Sequence, residues 1–145
     1  MSAQLWQLMA LKQEKRRLSE TVRQQGLRAD LGRIRDRREY LESVIADCTT
    51  SLSATALNGD HLSNQSGYMR QILTMRHQLQ LEEERINAEL IRSDASIRVF
   101  SNEERKFEKL EQLARQEQQR QEDKLLSKEL DELNIALFNK GSRPD

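Results

Sequence analysis

Two apolar ladders at alternating three- and four-residue steps constrain this chain more than any other feature. The first runs Leu27, Leu31, Ile34, Arg38, Leu41, Ile45, Cys48, Leu52. The second runs Met69, Ile72, Arg76, Leu79, Glu83, Ile86, Leu90, Ser93, Ile97, Phe100, Glu104, Phe107. Steps averaging 3.5 residues keep one seam of an α-helix turned toward a partner helix. Folding the chain back between the ladders brings together positions whose numbers total about 120–121. Leu52 then meets Met69, Cys48 meets Ile72, Leu41 meets Leu79 and Ile34 meets Ile86. The basic seam residue Arg38 lands on the acidic Glu83. The expected fold is all-α: a long antiparallel two-helix coiled-coil hairpin with a C-terminal helical overhang.

The expected organisation is one hairpin over 1–145, with arm one over about 4–52 and a loop over about 53–66. Arm two follows over about 67–138, and a frayed tail occupies 139–145. Arm one opens with its own stripe, Leu5, Leu8, Leu11, Lys15, Leu18, Val22, read as the start of the seam. The step from Val22 to Leu27 takes five residues and encloses Gly26, with Gly32 close behind, so a phase slip is expected there. Thr49 to Gly67 carries turn and cap chemistry, with Asn58-Gly59-Asp60 at its centre and an added helical turn around 54–57. Ser63 or Ser66 is the expected N-cap of arm two. By the same pairing Leu5 faces Gln116, which leaves the last twenty-odd residues of arm two unpartnered. After a polar run over 117–123, that segment regains a stripe at Leu126, Leu130, Leu133 and Leu137.

Composition narrows the functional classes. Charged residues are 33% and aromatics 4%, with one proline, so a narrow solvated seam replaces a broad core. Net charge is zero, but ten Lys/Arg face four Asp/Glu between Lys12 and Arg38, against fifteen acidic and ten basic residues between Glu82 and Glu132. That asymmetry favours pairing of the arms in register. Catalysis finds no phosphate loop, nucleophile elbow or Cys/His cluster, and His61 and His77 have no second ligand at metal spacing. Neither enzyme activity nor a cofactor is expected. Nucleic acid is an unsuitable partner, because the basic stretch is interleaved with acids and lacks stacking aromatics. No segment has the apolar length of a membrane span, and the single Cys48 fits a reducing compartment. Leu5, Trp6, Leu8, Met9 and Leu11 followed by Lys12, Lys15, Arg16 and Arg17 could instead lie on an anionic membrane surface. Trp6 and Met9 have no place in the expected seam and read as a docking surface.

The opening Gln4-Leu5-Trp6-Gln7-Leu8, followed by Lys12-Gln13-Glu14-Lys15-Arg16-Arg17-Leu18, resembles the stalk proteins of bacterial type III secretion, the FliJ, YscO and HrpO kind. So do the shorter first arm, the polar loop, the longer Glu/Gln/Arg-rich second arm and the short basic tail. The resemblance implies a cytoplasmic protein, peripheral at the inner-membrane secretion apparatus. It implies a central stalk between the secretion ATPase hexamer and the cytoplasmic domain of the export-gate membrane protein, with secretion chaperones as further partners. Carried to this chain, the ATPase-docking residues are Leu5, Trp6, Leu8 and Met9 with Leu126, Leu130, Leu133 and Leu137. The gate-facing residues are Tyr40, Leu41, Val44, Tyr68 and Met75. A generic coiled-coil scaffold and a peripheral membrane protein anchored by its N-terminal helix are the competing expectations.

Overall fold

The structure is a computed structural model that describes residues 2–54 and 59–141, with side chains outside 52–63. Two helices account for nearly all of it, α1 over Ala3–Ala54 and α2 over Gly59–Gly141. There is no strand among the described residues. The fold is all-α, two long helices packed against each other. Ser2 caps α1 in the manner of a short hydroxyl residue, its Oγ accepting the Leu5 N–H at 3.4 Å. The helices reach further into the loop region than its composition suggests. Backbone hydrogen bonding continues through Ala54 and resumes at Gly59, so Ser63 and Ser66 lie inside α2 rather than at its cap. The pairing expected for Leu52 and most of the turn expected around 54–57 lie outside the described residues.

The chain forms two compact units, Met1–Arg16 with Val99–Asp145, and Arg17–Arg98. In the second unit the ladder residues behave as their spacing requires. Leu31, Ile34 and Ile86 form a buried cluster, with Leu27, Leu79 and Leu90 packed against it and Leu41 and Ile72 also buried. Arg38 donates to Glu83 across the helices, which places the two polar seam residues together as their spacing predicts. The pairs run antiparallel, since Glu42 meets Arg76 and Arg23 meets Glu89.

Ahead of Leu27 the seam differs from the expected one. The stripe Leu5, Leu8, Leu11, Leu18, Val22 is exposed, from 37% at Leu5 to 66% at Val22, and Lys15 is exposed with it. In the second unit the inward positions are instead Arg17, Glu20 and Gln24, leading into Leu27. In the first they are Ala3, Trp6, Ala10 and Gln13. These positions continue the three–four spacing of Leu27, Leu31 and Ile34 without a slip, so no stutter occurs at Gly26. Keeping one phase preserves the packing of Leu31 and Ile34, and it leaves the leucines roughly on the opposite side of the helix.

The register of the first unit also departs from the extrapolated one. Position numbers that pair total 121 at Arg38 and Glu83 but already 118 at Gln24 and Asp94 and 112 at Arg23 and Glu89; in the first unit Trp6 and Phe107, whose rings stack with centroids 5.9 Å apart, total 113. Stacking two aromatics buries more apolar area than setting Leu5 against Gln116. Contact therefore ends sooner along α2. Ala114 is the last half-buried residue among those described, and every position over 115–141 is exposed.

The phase of α1 is testable by truncation. Ile86→Ala should lower the unfolding free energy by about 2–5 kcal/mol, while Leu18→Ala should change it by less than about 0.5 kcal/mol, both read from urea denaturation. Gly26 and Gly32 lie within α1 with open space where a Cβ would sit. Replacing both by alanine should therefore raise stability by about 0.8–1 kcal/mol each.

Candidate functional site

The first unit carries the terminal group of candidate docking residues. Leu5 and Leu8 are exposed, Leu8 more fully, and Leu11 is exposed with them at 51%. Trp6 and Met9, expected to stand outside the seam, are half-buried in it. Trp6 is held on Phe107 with an interplanar angle of 20°, and Lys106 Nζ lies 5.8 Å from the Phe107 ring centre. On α2, Leu126, Leu130, Leu133 and Leu137 are each more than half exposed, and so are Leu125, Ile135 and Phe138 beside them.

Every position of this segment is exposed among the described residues, and what supports it is local. Arg115 pairs with Glu111 and Arg120 with Glu117, while Gln118 donates to Glu122, Gln119 to Asp123 and Gln121 to Glu117. Pairs at three- and four-residue spacing contribute about 0.2–0.5 kcal/mol each. They sustain a helix whose apolar face remains free. Seven large apolar side chains are exposed over 125–138.

The second unit carries the residues assigned to the loop end. Tyr40, Leu41 and Met75 line one open groove with Arg37, Gln78, Leu79 and Glu82. Leu41 is buried at its floor, while Tyr40 and Met75 rise exposed at its sides. Tyr68 is exposed and Val44 half-buried, and neither lines that groove.

Between Arg17 and Gln24 the seam is polar. Gln24, buried, donates to Asp94 on α2. Arg23 holds Glu20 at 3.0 Å and reaches Glu89 at 3.7 Å. The Arg23 guanidinium, and next the hydroxyl of Ser93, hold the Glu20 carboxyl below its usual range, against a smaller opposing effect of burial. Ser93 is wholly buried; its hydroxyl favours the charged carboxylate without completing a hydrogen bond of ordinary geometry. This small residue at the centre of α2 lets the helices approach where α1 offers only long polar side chains.

Among the described residues no cluster of three His, Cys, Asp or Glu side chains is placed to hold a metal ion, and no helix is long and apolar enough to cross a membrane. Cys48 is a free, half-buried thiol at its seam position. Sequence reasoning missed the Trp6–Phe107 stack and the Gln24–Asp94 bond. Both were within reach, because continuing the phase of Leu27 backward selects Gln24 and Trp6 at the same spacing. No protein-family model matches the chain, and neither a curated protein nor a solved structure matches it.

Glu20 gives the polar seam a signature in pH. Its carboxyl titrates lower in the folded chain than in the unfolded one, so its contribution to stability is complete above the unfolded value. That contribution is lost as the pH falls through the folded value. Glu20→Gln should therefore flatten the acid side of the stability profile, measured by urea unfolding between about pH 6 and pH 3.

Proposed function

We propose that this protein is a coiled-coil stalk of a bacterial type III secretion system, joining the secretion ATPase to the export gate. The observation that carries the reading is the exposed stripe Leu126, Leu130, Leu133 and Leu137 on a stretch of α2 that α1 does not cover. An amphipathic helix with apolar anchors at such spacing is suited to a groove or ring built by another protein, where a few buried side chains supply most of the affinity. Leu5 and Leu8, exposed in the same unit, add to that surface. Trp6 serves it indirectly, by fixing α1 against Phe107 and so presenting the leucines outward, with Met9 half-buried beside it in sequence.

The assignment to type III secretion draws on the N-terminal pattern and on the architecture of unequal helices, both of which fit the stalk resemblance. The partners in this reading are the ATPase hexamer and the cytoplasmic domain of the gate protein, with chaperones escorted on the way. The groove of Tyr40, Leu41 and Met75 is the candidate gate contact. The place of action is the cytoplasmic face of the inner membrane.

Leu130→Asp combined with Leu133→Asp should abolish binding and stimulation of the secretion ATPase. Far-UV circular dichroism should scarcely change, because neither residue supports a contact between the helices. Normal stimulation by the double mutant would refute the assignment of this end. A chain that binds no hexameric ATPase in a pull-down from its native host would instead be a scaffold of another assembly.

A further inference from the structure

We infer that the chain pairs with a second copy of itself, the α2 extension of each copy lying on the outward face of α1 of the other. This goes beyond the stalk reading and stands without it. Three observations carry it, all within the first unit. The first is a pair of uncovered apolar faces, Leu5, Leu8 and Leu11 on α1 and Leu126, Leu130, Leu133 and Leu137 on α2.

The second is their charge. Lys12, Lys15 and Arg16 border the α1 face, with Glu14 as the one acid among them. The extension carries six acidic residues and three basic ones between Glu117 and Glu132. Complementary rims of this kind favour one apolar face over other surfaces and set the register.

The third is geometry. α2 runs past the start of α1, so its extension is parallel in direction to α1 of a copy related by a two-fold axis lying just beyond Ala3. That axis sets each extension against the side of the other copy's α1 that its own α2 leaves open. The contact is self-complementary and closes at two copies. The four-residue step from Leu126 to Leu130 repeats that from Leu11 to Lys15 in sequence. Leu126 of one copy then sits beside Leu11 of the other, with Glu122 within reach of Lys12. The aliphatic stem of Lys15 covers Leu130 while its ammonium reaches the acidic rim. The dimer occupies the leucines proposed above to engage an ATPase, so the two states exclude each other.

Within one chain, positions 11 and 126 are separated by about 24 residues of α2, roughly 35 Å, once Leu11 is placed by the Trp6–Phe107 register. A disulfide between them can only join two copies. In a Cys48→Ser background, Leu11→Cys with Leu126→Cys should oxidise to a covalent dimer, while either cysteine alone should not. Light scattering on the unmodified chain should give twice 17.0 kDa. Leu11→Asp, or Leu130→Asp with Leu133→Asp, should weaken the dimer at least tenfold while helicity outside the extension is kept, and high salt should weaken it too. A monomer at tens of micromolar would overturn the inference. So would a dimer indifferent to both sets of mutations, which would have its interface elsewhere. A monomer that binds phosphatidylglycerol vesicles and loses that binding in Leu11→Asp would assign the α1 face to a lipid surface instead. Because no ATPase enters these measurements, their failure leaves the stalk reading untouched, and failure of that reading leaves them standing.

Discussion

The packing of Leu31 and Ile34 on Ile86 sets the rotation of α1, and the other features follow from that rotation. A helix cannot turn its seam toward a partner at one point and away at the next without unwinding, so a well-packed layer imposes its phase on the residues before it. Continued toward the N-terminus, that phase reaches Gln24, Glu20, Arg17 and Gln13 rather than leucines. The chain therefore buries polar side chains between its helices while Leu8, Leu11 and Leu18 face outward. Such an arrangement is weak as a fold and useful as a surface.

Polar seam residues contribute selectivity more than stability. Gln24 on Asp94 and Arg38 on Glu83 are both partly solvated, and pairs of that kind are worth about 1 kcal/mol or less. Their effect is to penalise other registers, in which a buried amide or carboxylate would lose its partner. Ser93 belongs to the same device, since a larger residue there would push the helices apart at the position where the seam has least apolar area. Trp6 and Phe107 supply in the first unit what the leucine cluster supplies in the second.

Much of this was legible in the sequence. The second ladder, from Met69 to Phe107, faces inward at every position named, and the first does so from Leu27 to Cys48. Arg38 opposite Glu83 was readable because both ladders are regular there and two polar exceptions coincide. The outward turn of Leu5, Leu8 and Leu11 was not, since hydrophobicity alone selects the most apolar stripe. The structure selects the stripe in phase with the strongest packing further along the helix. The register at Trp6 eluded extrapolation for a related reason: one long ladder fixes pairing only near its own layers. Of the candidate site, the exposed leucines over 126–137 were visible as a stripe with no partner in reach. Trp6 and Met9 were misplaced because a pair of residues that fits no expected seam looks like a surface.

The extension of α2 over 115–141 is helical and exposed at every position, with no neighbour to pack on among the described residues. Isolated helices of moderate length are balanced between ordered and unfolded forms, and that balance shifts with temperature. Whatever grips Leu130 and Leu133 must also complete the ordering of the segment that carries them, which subtracts from the affinity. Grip at this end is then set by the helix–coil equilibrium as well as by contacts, and it loosens on warming faster than the contacts alone would. Substitutions that never touch the partner, such as alanine for an exposed glutamine among 116–121, tune it by changing how often the helix is already formed.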